Sequence, residues 1–270
     1  MTTPATVMIM VAPNGARALK KDNPATPISP KEIAEEVIRC AKAGASIAHL
    51  HARREDGQPT QSIEVYREIA DRVREHSDIV LQISLGTLGF TVEEAIEPVD
   101  LNPEMVSLPL DDFLKDDAAA HEGIRQMALK VREHRVRPEL SVYNERMLKG
   151  ALRLIEEGAI DRPACFGLIL RDPESTRQGA AKLMELADAL PERSQWWVAR
   201  GGRYGLGLRA LAIEMGGHVR VGFEDSVMDF DQSKLASSNA YLVERMANLC
   251  HALGRPIATA AQARSAVSAA

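Results

Sequence analysis

Only three cysteines occur in the 270-residue chain, Cys40, Cys165 and Cys250, widely separated and odd in number. That argues against a disulfide framework. No stretch reaches the 18–20 uninterrupted apolar residues of a spanning helix. There is no basic excess either: 33 Lys and Arg against 38 Asp and Glu leave a formal charge of −5, which gives no reason to expect nucleic acid or an anionic membrane as partner. Met1 to Thr6 carries no basic region ahead of the first apolar run, so no secretory signal is visible and the cytoplasm is the expected compartment. A Gly-x-Gly-x-x-Gly fingerprint is missing after that run, which removes the signature of a dinucleotide-binding open sheet. What is present, 45% hydrophobic and 26% charged residues, is the composition of an ordinary globular protein.

Short β-rich runs alternate with helical stretches along nearly the whole chain. The strands read as Val7 to Ala12, Ile47 to His51, Ile79 to Ile83, Met105 to Leu108, Glu139 to Tyr143, Phe166 to Leu170, Trp196 to Ala199 and Val219 to Val221. Ser29-Pro-Lys-Glu32 opens the first helix with an N-cap, a proline at the first helical position and a capping-box glutamate. Later helices are expected over Ser62 to Glu75, Val92 to Ile96, Ala118 to His134, a stretch ending at Glu157, Gly179 to Ala189, Gly205 to Met215 and Leu235 to Leu253. Eight β/α units in this length predict a single-domain α/β fold over residues 1–270, a closed (β/α)8 barrel of the TIM type. No linker or low-complexity segment divides it.

His49 and His51 are two apart at the end of strand 2, so both imidazoles emerge on one face. Two neutral imidazoles side by side suit a divalent transition metal, zinc above all, and need a third ligand. Glu224, just past strand 8 in Gly216-Gly-His-Val-Arg-Val-Gly-Phe-Glu-Asp225, is the candidate. Barrel active sites lie at the C-terminal ends of the strands, and strand 8 closes against strand 1, so the two segments meet at the mouth. Three protein ligands leave open positions, as a catalytic site requires. His218 reads as a packed residue, not a ligand. Arg203 reads as a partner in a surface ion pair.

Pro27-Ile-Ser-Pro-Lys-Glu, Ala43-Gly-Ala-Ser-Ile-Ala-His-Leu-His-Ala-Arg53, Asp56-Gly-Gln-Pro-Thr60, Gln82-Ile-Ser84, Gly216 to Asp225 and Gly254-Arg-Pro-Ile-Ala-Thr259 occur in an order that resembles the β-keto acid cleavage enzymes over nearly the whole chain. The resemblance implies a TIM-type barrel, a homotetramer, and zinc held by His49, His51 and Glu224. It also implies a reaction in which a 3-keto acid and acetyl-CoA give acetoacetate and a new acyl-CoA. Asp225 matches the family's catalytic aspartate and Arg220 its partner arginine. Ser84, Ser107, Arg17 and Ser141 fall at substrate-facing positions.

Departures from the family pattern are local. Members acting on an amino-substituted keto acid carry Gly-Ala-Glu after strand 1, where this chain has Gly15-Ala16-Arg17. A cation there repels an ammonium and attracts a carboxylate, which points to a neutral or anionic 3-keto acid. A family glutamate on strand 5 is replaced by Ser141, with Glu139 retained two residues deeper. The loop Ser107-Leu-Pro-Leu-Asp-Asp-Phe113 lacks the family's glycine and asparagine, and Leu170-Arg171-Asp172-Pro173 replaces a glycine-rich loop. These changes keep two other readings open: a different metal-dependent C–C lyase or hydrolase, and a non-catalytic member that binds a small carboxylate.

Overall fold

A computed structural model describes residues 6–86, 89–111, 115 and 118–268. Eight parallel strands hydrogen-bond in sequence order and close into a barrel: β1 (Ile9–Val11), β2 (Ile47–Leu50), β3 (Val80–Ser84), β4 (Met105–Leu108), β5 (Arg137–Val142), β6 (Cys165–Leu170), β7 (Gln195–Arg200) and β8 (His218–Val221). The ring is completed by β1, where Met10 lies opposite both Ile47 of β2 and Arg220 of β8. The helices are α1 (Pro30–Lys42), α2 (Ile63–Arg74), α3 (Val92–Ile96), α4 (Ala118–Glu133), α5 (Glu145–Glu156), α6 (Thr176–Asp188), α7 (Gly205–Glu214), α8 (Asn239–Ala252) and α9 (Ala260–Val267).

Alternation along each strand sorts the side chains into two cores. Ile9, Val11, Ala48, Leu50, Leu81, Ile83, Val106, Leu140, Phe166 and Val219 point outward and pack with the apolar faces of the helices. Met8, Met10, Ile47, Val80, Met105, Cys165 and Trp197 point inward and fill the lower barrel. The next inward positions toward the mouth are polar: His49, Gln82, Ser84, Ser107, Glu139, Ser141 and Arg220. The barrel is thus largely apolar below, with Arg137 and His218 as bonded exceptions, and polar at its C-terminal end.

The capping box at Ser29 forms as the sequence predicts, with Glu32 closing back on the N-cap. Two features depart from the reading. The last β/α helix begins at Asn239 behind an Ser238 cap, not at Leu235, because Leu235 instead bridges to Met228 and closes the preceding loop. The terminal helix α9 was not expected at all, although Thr259 and Gln262 form a capping box there. Its residues Ala263 and Val267, with Ala258, plug the N-terminal end of the barrel. Arg137 locks the plug by donating to the carbonyls of Val267 and Ser268. The loop reading at Ser107 to Phe113 reaches Asp112 and Phe113, which lie outside the described residues.

His218 sits in the lower barrel, as its packed-residue assignment anticipates. Its Nδ1 accepts from the Met8 amide at 3.2 Å, and its Nε2 is 2.9 Å from Gln195 Oε1, so the ring is held as the neutral Nε2–H tautomer. Burial pushes its pKa down to about 4. The unfolded chain therefore takes up a proton that the folded chain refuses, and stability falls as pH drops from about 6.5 toward about 4. Over that window the expected loss is ~3 kcal/mol from this group. Urea unfolding of wild type and His218→Gln across the same range should show that component only in the wild type.

Candidate active site

Barrel closure brings the C-terminal ends of β2 and β8 to either side of β1, and there three side chains converge. His49 Nε2 and His51 Nε2 are 3.1 Å apart, and Glu224 Oε2 lies 3.2 and 3.3 Å from them. Despite this proximity Glu224 Oε2 is buried and has no hydrogen-bond partner of acceptable geometry. The two imidazole nitrogens are within hydrogen-bonding geometry of each other, but the carboxylate oxygen facing them is left without a bond, as a site for a shared cation leaves it. A point equidistant from atoms so spaced lies ~1.9 Å from each, and zinc bonds to imidazole nitrogen and carboxylate oxygen run about 2.0–2.2 Å. The residues fit a divalent metal in size, donor type and number.

Electrostatics favour a cation at the same place. Burial opposes ionisation of Glu224, but Arg220 and the two imidazoles outweigh it and hold the carboxyl well below the usual range. Burial also dominates at His51, which is lowered and so kept in the neutral, ligating form. At His49 burial is overcome by the Glu224 charge, and the net direction is upward.

The two oxygens of Glu224 divide their roles. Oε2 faces the imidazoles, while Oε1 is 3.2 Å from Arg220 Nη2. Arg220 also grips Asp225 with two bonds, Nη2 to Oδ1 at 2.6 Å and Nε to Oδ2 at 3.1 Å. Arg220 is buried, yet Asp225 and Glu224 together keep it firmly protonated, its pKa raised above the ordinary arginine value. The fork geometry leaves Asp225 oriented beside the metal-binding residues. Sequence reading placed all five residues here, and the structure brings them together.

Support comes from neighbours that the sequence reading did not assign. His49 Nδ1 is 2.6 Å from Gln82 Oε1, and Gln82 Nε2 donates to Glu139 Oε2 at 3.0 Å. Because Glu139 accepts from the amide nitrogen, Gln82 must turn its carbonyl to His49. That makes Nδ1 the protonated nitrogen and leaves the Nε2 lone pair free for a metal. Gly167, across from Ser141 on the neighbouring strand, makes room for this carboxylate, since a Cβ there meets Glu139 Oε1 at 2.3 Å. The signal in the sequence was parity: Gln82 and Glu139 lie on inward positions of β3 and β5.

The loop after β1 is fitted against the same site. Gly15 adopts φ +60°, and a Cβ there falls 2.6 Å from Glu224 Cγ, so glycine is required on both counts. Asn14 Nδ2 donates to the His51 carbonyl at 3.0 Å. Buried Arg53 holds the loop by donating to the carbonyls of Gly15, Ala18 and Gly57.

Of the substrate-facing candidates, Ser84 and Ser107 are buried neighbours in register, their hydroxyls 3.5 Å apart. Ser141 is half-buried on the inward face of β5. Arg17 is exposed on the loop after β1 and makes no side-chain hydrogen bond among the described residues. Among the described residues Arg203 does not form the expected ion pair; it is exposed and stacks on Tyr204, 5.5 Å from the ring centre. Two further mouth residues escaped the sequence reading. Arg200 ends β7 at φ +63° with Nε 3.9 Å from Asp225 Oδ1, and Tyr143 follows β5 beneath Arg171.

Replacing Gln82 with Leu removes the device that selects the His49 tautomer. Metal affinity, read by chelator competition, is expected to fall about 10- to 100-fold while far-UV circular dichroism stays native. Unchanged affinity refutes the relay.

A family profile described as beta-keto acid cleavage enzyme matches residues 6–268. The chain is 40% identical over 268 residues to 3-keto-5-aminohexanoate cleavage enzyme of Fusobacterium nucleatum, covering 97% of each. It is 30% identical over 273 residues to 3-oxoadipate:acetyl-CoA acetyltransferase of Cupriavidus necator, covering 98% of this chain and 95% of that one. Among solved structures, a binary complex of ObcA with oxaloacetate superposes with a TM-score of 0.69 at 20% identity, over 90% of this chain and 67% of ObcA, a likeness of fold alone. With two imidazoles, a glutamate and an Arg–Asp pair gathered at the barrel mouth, and a match that runs the length of the described structure, the chain belongs to the β-keto acid cleavage enzyme family.

Proposed function

We propose that the chain exchanges the acyl group of a neutral or anionic 3-keto acid with acetyl-CoA, giving acetoacetate and a new acyl-CoA in a zinc-dependent reaction. The convergence of His49, His51 and Glu224 beside a bidentate Arg220–Asp225 pair carries this reading. The acetyl-CoA in the name of the Cupriavidus relative supports the second substrate. A divalent metal held by those three residues supplies Lewis-acid stabilisation of the negative charge that grows as a 3-keto acid loses a proton.

Asp225 takes that proton from C2, the carbon between the keto and carboxyl groups. Arg220 holds the Asp225 carboxylate in place through both oxygens and offsets the charge that develops nearby. C2 then bonds to the acetyl carbonyl carbon as the CoA thiolate leaves. The thiolate adds to the original keto carbon, and the C2–C3 bond breaks in a retro-Claisen step. The proton held by Asp225 returns to C2, which departs with its carboxyl and the acetyl group as acetoacetate, and the remainder of the keto acid stays on CoA as its thioester. Ser84 and Ser107 lie on the inward face at the mouth, where their hydroxyls donate to substrate oxygens. Exposed Arg17 biases the site toward neutral or anionic substrates.

Ser141 supports a second reading, a metal-dependent lyase or hydrolase that does not use acetyl-CoA, because the carboxylate of the family pattern is missing there. The same proposal takes residues 1–270 as one domain, assembled as a homotetramer in the cytoplasm. In keeping with that compartment, no helix among the described residues is long and apolar enough to cross a membrane.

Elemental analysis should find zinc in near-stoichiometric amount, and acetoacetate should form from a 3-keto acid only when acetyl-CoA is added. Turnover without acetyl-CoA favours the lyase or hydrolase. Bound zinc with no turnover of any 3-keto acid favours a binding protein. His49→Ala should lose metal and activity together. Asp225→Asn should retain metal and lose at least about 10²-fold in turnover; near-normal turnover removes Asp225 from the base role.

A further inference from the structure

We infer that the ends of β5, β6 and β7 form an anion subsite, built from Arg171, Arg200 and Tyr143, that binds a second carboxylate at the far end of the keto acid. The inference rests on the reading of the site as one for 3-keto acids.

Placement comes first. Arg171 and Tyr143 follow β6 and β5 at positions of inward parity, two residues beyond Ile169 and Ser141. Arg171 lies flat over the Tyr143 ring, 4.4 Å from its centre. Leu170 is in register with Arg200, so Arg171 and Arg200 rise from adjacent strands almost side by side. Directly below Arg171 the inward position is buried Ile169, and below that Gly167 lies in register with Ser141, its own space taken by the Glu139 carboxylate.

Among the described residues neither arginine has a close carboxylate of its own. Among the described residues Arg171 has no carboxylate at ion-pairing distance and no side-chain hydrogen bond. Arg200 has only loose contacts, 3.9 Å to an Asp225 oxygen already committed to Arg220, and 3.4 Å to the Glu224 carbonyl. The Tyr143 hydroxyl has no protein partner among the described residues. Burial raises its pKa, so it remains a neutral donor, with smaller opposing effects from Arg220 and Arg200 and reinforcing ones from Asp111 and Glu224.

Backbone strain adds an independent observation. Arg200 holds φ +63°, a conformation unfavourable for a side chain of this size. In a regular pleat its parity turns it toward the helices with Val198; the left-handed turn instead carries the guanidinium over Asp225. The surroundings enforce that turn. Arg209, buried on α7, donates to the Arg200 carbonyl at 2.8 Å and to the Arg220 carbonyl at 2.7 and 2.9 Å. One guanidinium therefore fixes the backbone of both mouth arginines on β7 and β8. Strain retained in this way marks a residue whose side chain is needed where it is.

The ligand that fits is a 3-keto dicarboxylic acid: keto and first carboxyl group toward the metal-binding residues, distal carboxylate between the two guanidinium groups and the phenol. An alternative source of the anion is a phosphate of CoA, and the test separates them. Binding of 3-oxoadipate and of 3-oxohexanoate, which lacks the second carboxylate, is to be measured by calorimetry on the zinc-loaded enzyme without acetyl-CoA, so the result does not require turnover. Wild type should prefer 3-oxoadipate by about 10-fold or more. Arg171→Met/Arg200→Met should abolish that preference, with zinc content unchanged, and Tyr143→Phe should reduce it in part. Equal binding of the two acids by wild type, or a preference that survives in the double variant, overturns the inference. So does a double variant whose binding of free CoA weakens while its preference for 3-oxoadipate persists. Failure of acetoacetate formation in the separate acetyl-CoA assay counts against the proposed reaction and leaves this binding result standing.

Discussion

Pairing of β8 with β1 is the constraint on which the site depends. Residues 49 and 51 are separated from residue 224 by more than 170 positions of chain, and nothing local draws them together. The ring closes only if β1 accepts β2 on one edge and β8 on the other. That closure places three donor atoms within 3.3 Å of one another. Glycine at positions 15 and 222 allows the approach: at Gly222 a Cβ would fall 2.2 Å from the Ala12 carbonyl oxygen, across the same seam. The barrel thus spends its tightest packing where the metal ligands meet.

Around that point the polar groups are arranged as paired chains, not as isolated charges. One runs from His49 through Gln82 to Glu139, and sets which imidazole nitrogen is free. The other runs from Glu224 through Arg220 to Asp225, and holds two carboxyl groups on one guanidinium. Burying so many ionisable groups is costly unless each is satisfied, and here almost every donor has its acceptor. Glu224 Oε2 is the conspicuous exception. An unsatisfied, buried carboxylate oxygen facing two imidazoles is the physical basis for assigning a metal to the site.

The departures expected from the sequence fall on the strand ends and leave His49, His51 and Glu224 in place. Ser141 puts a small hydroxyl on the inner face near Glu139, while Arg171 and Arg200 bring positive charge to the rim. Barrels diversify at these loops because the strands below carry the fold. A His–His–Glu cluster fit for a metal, under an altered rim, is the arrangement from which common chemistry at the keto acid and a different reading of its tail are proposed.

The Arg220–Asp225 pair came from the family resemblance, whereas alternation of apolar runs, the Ser29 capping box and the spacing His-x-His followed far downstream by Glu made the barrel and the His49–His51–Glu224 cluster legible in the sequence. These are period-2 and local-spacing signals, which survive without knowledge of the fold. Tertiary structure decided what those signals do not encode. The plug helix α9 is poor in large apolar residues and gains its stability from the barrel end it covers, so its periodicity is faint. The role of Gln82 depends on Glu139 across two strand pairings. Arg200 reaches the mouth through a left-handed turn that no parity rule anticipates, enforced by an arginine from the outer helix layer. Strand direction follows from the residues themselves; which groups meet across the ring follows only from its closure.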